Sequence, residues 1–444
     1  MIGFEPISPP EMIRRVVAAS VDSIRPSSLF KKKFSLTGDR LSAFGANIFF
    51  PSARNVRCIA IGKAAEAMAA EVAGQLDGRV TGIIATPVES HMSVPNFRFL
   101  KTGHPLPDQS SVSAGEEIYE FVRSSGSEDL LLFLISGGGS ASIFVPSDGI
   151  TLEDARSVFD LLLRNAVSIT NINLLRRHLS KLGGGKLAAV SPGNQKLSLI
   201  ISDVVGDDPT SIASGPTVSD YSTPYDALEF LEKNRFTGKI PASVVKTLER
   251  SAKVYERVEL KNNIVHVIAS NRDALKAAEC VGNDRHLNTI VLNSRYTGEV
   301  AEAAEFLASM AVEIQLNSSI VSPPALVLFG GETVLKVSGG GIGGRNQHLV
   351  LTVLRKFVEL AQKGKVLDRA TVFSIGTDGK DGNSDAAGAF ASLEMVSKIR
   401  VAEDEILKYL SEYDSNSFFR KYGGLIETGP TDTNVMDIFG LVIV

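Results

Sequence analysis

Short apolar runs alternate with helical segments along most of this chain, and several of the runs end in glycine. Apolar positions at helical spacing predict an opening helix over Pro10–Ser23. Val56–Ile61 then reads as a buried strand, and Lys63–Leu76 as an alanine-rich helix. Val80–Ala85 and Phe97–Leu100 read as further strands. Leu130–Ile135 is the clearest strand of the first half, because its six residues are all apolar and Ser136-Gly-Gly-Gly ends the run. Helices are expected over Leu152–Ser168 and Asn173–Leu182, and a strand over Leu197–Ile201. The more polar, helical stretch Asp220–Lys261 is the expected join between domains. Beyond it the alternation resumes: strand Ile264–Ile268, helix Arg272–Cys280, strand Thr289–Leu292, helix Gly298–Ile314 and strand Ala325–Phe329. A glycine turn at Gly330-Gly331-Glu332-Thr333 leads to a strand over Val334–Val337, a helix over Asn346–Leu360, and strands over Thr371–Ile375 and Gly440–Val444.

Regular alternation of strand and helix predicts α/β architecture with largely parallel sheets. At 444 residues the chain exceeds one ordinary core. Two Rossmann-like α/β domains are expected: residues 1–240 with a glycine-rich phosphate loop, and residues 241–444, whose last strand could return to the first domain.

Composition narrows the function. Hydrophobic content of 44% with 22% charged residues is that of a soluble globular protein. The net charge of −4 gives no reason to expect a nucleic-acid partner. No apolar run approaches the ~20 residues that span a bilayer. The two prolines and the acid of Ile7–Glu11 do not suit a signal peptide. Cys58, inside an apolar run, suits a buried thiol better than a disulfide. The expected compartment is the cytoplasm. Oligomeric state is left open, with a homodimer among the options.

Chemistry concentrates where strands end. Glycine admits positive φ and lets backbone N–H groups approach an anion. Ser136, Gly137, Gly138, Gly139 and Ser140 form one such loop, and Gly339–Gly344 with Arg345 another. A lone glycine turn is ordinary, but consecutive glycines carry an entropic cost that close approach to a ligand would explain. Lys63 sits at a strand-to-helix turn, a poor place for a cation unless an anion is also there. Asp203, Asp207 and Asp208 cluster after one strand, and Asp378, Asp381 and Asp385 after another. Any single aspartate there is more often a turn or cap residue. Two clusters at strand ends suit Mg²⁺, which takes one or two carboxylates plus phosphate oxygens. Cations, carboxylates and backbone nests together are the equipment of phosphoryl transfer. No Walker A motif, protein-kinase signature or Gly-x-Ser-x-Gly elbow is present. His104 and His178 read as packing histidines, since no metal-type histidine spacing exists.

Several collinear segments then carry a resemblance. They are Gly62-Lys63-Ala64-Ala65, Gly103-His104-Pro105-x-Pro107-Asp108, Ser136-Gly-Gly-Gly-Ser-Ala141, Arg176-Arg-His-Leu-Ser180 and Ser202-Asp-x-x-Gly-Asp-Asp-Pro209. They continue with Ala213-Ser-Gly-Pro-Thr217, Gly330-Gly-Glu-Thr333, Gly343-Gly-Arg-Asn-Gln347, Gly376-Thr-Asp-Gly-x-Asp-Gly382 and Asp385-Ala-Ala-Gly388. The chain resembles the glycerate 2-kinases, whose C-terminal half carries the MOFRL module. The resemblance implies two α/β domains with an active site in an interdomain cleft. It implies transfer of the γ-phosphate of ATP to the C2 hydroxyl of D-glycerate. Lys63 and Arg345 are the implied catalytic cations. On this reading Asp207 is a further catalytic candidate, and Asp203 and Asp378 are the Mg²⁺ ligands. Ser136–Ser140, Arg176, Gly343, Gly344 and Asn346 are the expected substrate and phosphate contacts. His348 stands where an acid commonly follows Arg-Asn-Gln, Asp432 where glycine is expected, and Ser142-Ile143 where a leucine pair is commoner.

Similar sequences have been labelled hydroxypyruvate reductases. That activity would use a nicotinamide cofactor and needs a strand–GxGxxG–helix unit with an acid at the next strand end. Gly339-x-Gly341-x-x-Gly344 meets the glycine spacing, but Glu359, the acid near the right distance, falls in a helical stretch. A non-catalytic nucleotide sensor would not need lysine, arginine and aspartates together.

Overall fold

A computed structural model describes residues 8–51, 54–76, 78–165, 167–399 and 403–444. The chain forms two compact units. One comprises residues 26–268, and the other joins residues 1–25 to residues 269–444.

Helix α1 (Pro9–Ile24) opens the chain, with proline at its first turn, where a missing N–H costs nothing. The unit of residues 26–268 then runs α2 (Pro26–Lys33), β1 (Phe34–Thr37), β2 (Arg40–Ala43), β3 (Ala46–Phe49), β4 (Val56–Ile61), α3 (Ala65–Gln75), β5 (Val80–Thr86), β6 (Phe97–Lys101), α4 (Gln109–Arg123), β7 (Leu130–Ile135), α5 (Gly139–Ser142), α6 (Leu152–Arg164), α7 (Ile169–Leu179), α8 (Lys186–Ala189), β8 (Gln195–Ile201), α9 (Pro224–Lys233), α10 (Ala242–Lys253) and β9 (Asn263–Ala269). Strands β1, β2 and β3 make a small antiparallel sheet of their own. The main sheet has the order β6-β5-β4-β7-β8-β9, and its pairings from β6 through β8 are parallel. All six residues of β7 are buried, as expected of a strand covered on both faces.

Strand order reverses between β4 and β7. In doubly wound sheets the crevice at such a switch point is where ligands bind, because the connections on its two sides leave in opposite directions. The register fixes which loops meet there. Ile61 pairs with both Ala85 and Ile135, and Ile135 with Ile200. The segments after β4, β7 and β8 therefore emerge side by side.

The other unit contains α1, α11 (Asn271–Asp284), β10 (Asn288–Glu299), α12 (Val300–Asn317), β11 (Ala325–Val334), α13 (Arg345–Gln362), β12 (Ala370–Gly376), β13 (Gly388–Ser392), α14 (Leu393–Ile399), α15 (Glu403–Ser411), α16 (Ser415–Tyr422), β14 (Leu425–Ile426) and β15 (Asp437–Ile443). Its sheet order is β10-β11-β15-β12-β13-β14. Only β10 and β11 pair in parallel, and the remaining pairings are antiparallel. The sheet's core face packs Val327, Phe329, Phe439 and Leu441 against Leu307, Val350 and Phe357.

The α/β alternation is as expected, with several differences. The second sheet is mixed rather than largely parallel. The units do not divide at 240/241. Helices α9 and α10 bury Leu231 and Leu248 in a cluster with Phe159 and Leu175, so Asp220–Lys261 is packed core rather than a join. Strand β9 still belongs to the first sheet, and the chain changes units after it. Strand β15 lies in the middle of the second sheet and does not return to the first. The helix expected to Ser168 ends at Arg164, and α7 restarts at Ile169. Gly330 and Gly331 lie inside β11, where a Cβ would collide with Asn271 and Tyr296 respectively. No strand forms over residues 335–337.

Candidate active site

The turn after β4 and the glycine loop after β7 are tied together. Lys63 N donates to Gly137 O at 2.9 Å, Ala64 N donates to Ser136 Oγ at 3.0 Å, and Ser136 Oγ donates to Ile61 O at 3.2 Å. Gly62, at φ +104°, passes so close to the Ser136 carbonyl that a Cβ would overlap it. The contact holds Lys63 at the mouth of the switch point, half-buried. Among the described residues no carboxylate pairs with its amine. The N–H groups of Gly137, Gly138 and Gly139 donate to no acceptor within the described residues.

Asp203 follows β8 and closes this cluster. Its carboxylate lies against Gly137, where any Cβ would overlap it. Asp207, four residues on, holds a left-handed backbone at φ +59°, and its buried Oδ1 has no hydrogen-bond partner. Asp208 is instead a turn residue, accepting from Thr210 N, Thr210 Oγ1 and Ser211 Oγ. Asp203 and Asp207 are therefore the pair whose chemistry suits a hard cation. Among the described residues no cluster of three or more acidic, histidine or cysteine side chains forms a cage for a metal.

His104 completes the cluster and was underrated by its sequence context. Its ring lies over Gly138, beside the Lys63 side chain. Burial lowers its pKa, and the charges of Lys63 and Arg176 lower it further, so the imidazole is neutral at pH 7. Arg176, on the last turn of α7, borders a small cavity with Ser140 and Ser214. The Oγ atoms of Ser140 and Ser214 are 2.8 Å apart.

The second set of expected residues is arranged differently. Arg345, first residue of α13, donates from Nε and Nη2 to the two oxygens of Asp437, at 2.6 and 3.0 Å. Its Nη1 donates to Glu332 Oε1 at 2.7 Å. Burial pushes Asp437 up to about 6, and the ion pair with Arg345 pulls the other way, leaving a carboxylate at neutral pH. Asp381 is buried and receives the N–H groups of Asn346 and Gln347, which makes it the cap of α13. Asn346 gives Nδ2 to Asp381 and Asp437 and receives Ser374 Oγ.

The expected phosphate contacts at Gly343 and Asn346 are thus occupied by the protein's own groups. Gly341 N, Ile342 N and Gly343 N donate to Glu412 O, Asp414 Oδ1 and Asn383 Oδ1. Gly344 sits where a Cβ would collide with Asp381. Glycine at these positions serves close packing of backbone on backbone. Asp378 Oδ1 accepts from Lys380 N in a local turn. Asp437 escaped the sequence reading because a lone acid before an apolar run carries no local signal. Glu332 was visible only as part of a glycine motif.

The sequence matches two family profiles: a domain of unknown function, DUF4147, over residues 12–249, and the MOFRL family over residues 325–437. The glycerate 2-kinase of Pyrococcus horikoshii is 34% identical over 96% of this chain and 95% of its own length. The chain belongs to the glycerate 2-kinase family. The crystal structure of glycerate kinase from Thermotoga maritima superposes with a TM-score of 0.82 at 30% identity, covering 98% of this chain and 99% of that one. A family relative from Agrobacterium vitis, provisionally named a hydroxypyruvate reductase, is 33% identical over 98% of this chain and 95% of its own. Family members thus carry both labels.

Proposed function

We propose that this protein transfers the γ-phosphoryl group of ATP to the C2 hydroxyl of D-glycerate, giving 2-phosphoglycerate and ADP. The observation that carries this reading is the bonded pair of turns at the switch point, which brings Lys63 beside Gly137–Gly139, whose N–H groups have no acceptor among the described residues. Phosphoryl transfer needs positioning and charge neutralisation more than covalent chemistry. Lys63 supplies a point charge for phosphate oxygens, and the glycine N–H groups supply fixed dipoles. Asp203 and Asp207 fit Mg²⁺, since one oxygen of Asp207 is buried without a partner and two carboxylates plus phosphate oxygens are the ion's usual donors. When bound, the ion would neutralise charge on the phosphates of the donor. Arg345 acts here through Asp437 and Glu332, organising the start of α13 rather than presenting a free cation.

The reductase reading loses its one motif. Strand β11 ends at Val334, well before α13 begins, and the N–H groups of Gly341, Ile342 and Gly343 between them are already bonded.

Product analysis tests the reading. Purified protein with ATP, Mg²⁺ and D-glycerate should yield a product that enolase converts directly to phosphoenolpyruvate. Conversion only after phosphoglycerate mutase is added would mean C3 phosphorylation. NADH oxidation by hydroxypyruvate with no ATP-dependent product would overturn the kinase.

A further inference from the structure

Three histidines have different surroundings. His178 Nε2 lies 3.0 Å from Ser222 Oγ, and the ring of His348 stacks on Tyr413. His104 is exposed to solvent, and among the described residues neither of its ring nitrogens has a hydrogen-bond partner. Packing nevertheless places it. A Cβ on Gly138 would lie 3.3 Å from His104 Cδ2 and 3.4 Å from Lys63 Cγ, so the imidazole and the lysine stem flank the same glycine.

The fold brings the ring there from a distance. Strand β6 is at the edge of its sheet, separated from β4 by β5. The segment after it is drawn back across the strand ends. Thr102 N donates to Thr86 O at 2.9 Å, and Gly103 N donates to Ser111 Oγ at 3.1 Å. Phe144 N, just past α5, donates to Ser111 O at 3.3 Å. The first turn of α4 thereby ties the His104 segment to the chain that leaves the glycine loop.

Transfer of a phosphoryl group to an alcohol needs an acceptor for the hydroxyl proton. The other groups of the cluster are committed elsewhere. Lys63 and Arg176 are cations, and the Asp208 carboxylate accepts from Thr210 and Ser211. Asp203 and Asp207 are the residues that suit Mg²⁺, and a carboxylate beside a divalent cation is a weak proton acceptor. The imidazole remains, and burial together with the charges of Lys63 and Arg176 holds it neutral.

We propose that His104 is the general base of the transfer, taking the proton of the acceptor's C2 hydroxyl. The inference rests on the kinase reading and assigns a role which that reading leaves open. As the hydroxyl oxygen bonds to the γ-phosphorus, the bond from that phosphorus to the bridging oxygen breaks, and its electron pair leaves with ADP. The hydroxyl proton passes to an imidazole nitrogen and from there to solvent, to which the residue is open. Donor binding strengthens the base. Phosphates beside Lys63 offset the positive field that disfavours an imidazolium, so the ring gains proton affinity once ATP is in place.

Steady-state kinetics of the full chain with ATP, Mg²⁺ and D-glycerate test this. His104→Ala should lower kcat about 10²–10⁴-fold, the range for a general base, with KM for ATP and for D-glycerate changed little. Added imidazole should restore part of that turnover, which a residue needed only for packing would not show. His104→Gln, polar but not basic, should be as slow as His104→Ala. Unchanged kcat in both variants overturns the proposal, and so does a loss carried wholly by KM or one that imidazole does not relieve. A phosphoryl label on His104 after incubation with ATP alone would overturn it too, making the ring a nucleophile. If the variants fail to fold, diethyl pyrocarbonate on the wild type decides: activity should fall as peptide mapping finds His104 modified and return with hydroxylamine, and full activity with His104 modified rejects the base. A wild type that turns over no glycerate sinks the kinase reading and the base with it, whereas an active wild type with equally active variants sinks the base alone.

Discussion

Arg345 and Asp437 form a two-point ion pair in which the carboxylate is 1% exposed. The arginine therefore has a structural duty whatever its part in turnover. Truncating one member of a buried pair typically costs about 3–5 kcal/mol, because the other charge is stranded. Arg345→Ala should lower the urea midpoint strongly along with turnover. Adding Asp437→Asn to that variant should recover much of the stability and little of the activity. An unchanged midpoint in Arg345→Ala would show the pair to be dispensable.

Lys63 should behave in the opposite way. Half-buried and unpaired with any described carboxylate, it stabilises little. Lys63→Ala is expected to lower kcat by about 10²–10³, the range for losing one preorganised electrostatic group, with a thermal midpoint close to wild type. A coupled ATPase–enolase assay and a melting curve on the same preparation separate the two effects.

Glycines at the site and away from it should diverge. Gly137→Ala pushes a methyl into the Asp203 carboxylate and should cost both stability and activity. Gly74 lies in α3 with open space around it. Gly74→Ala should therefore stabilise, by about 0.5 kcal/mol, through helix propensity and a less disordered unfolded chain. Parallel chemical unfolding of the two variants gives the comparison.

Acid should weaken the fold through His178. Burial lowers its pKa to about 4, and the cations Lys186 and Arg177 oppose its protonation more than Asp220 favours it. The folded pKa lies below the unfolded value, so the contribution is complete above pH ~6.5 and is lost as pH falls toward 4. The loss at pH 5 should be roughly 2 kcal/mol. His178→Asn should flatten the difference in unfolding free energy between pH 7 and pH 5, and an equally steep variant would assign the acid sensitivity elsewhere.

The parallel half of the fold is legible in the sequence because its strands are covered on both faces. Val56–Ile61 and Leu130–Ile135 are unbroken or nearly unbroken apolar runs, and their ends coincide with the glycines that turn the chain. The small sheet of β1, β2 and β3 is not legible: each strand has four residues, with exposed and buried positions mixed, too short a pattern to read. Lys63, the Ser136–Ser140 loop and Asp203 were readable as a candidate site because each sits at the end of such a run. The pairing of Arg345 was not legible, because its partner Asp437 lies 92 positions away in sequence. Sequence spacing shows which groups are charged, but their charge balance is set by residues brought near only in the fold.

The central position of β15 has a consequence for how this chain is made. Its neighbours on both sides, β11 and β12, are translated long before it, and α1, which packs in the same unit, is translated first of all. The segment 26–268 has every strand of its own sheets once residue 269 has been added. The unit that brackets it has to wait, with α1 already made and two strand edges unpaired, until residue 443 is in place. Over that interval the exposed edges of β11 and β12 are templates for pairing with another chain. A ribosome stalled short of the last strand would release a protein with one finished unit and one open sheet.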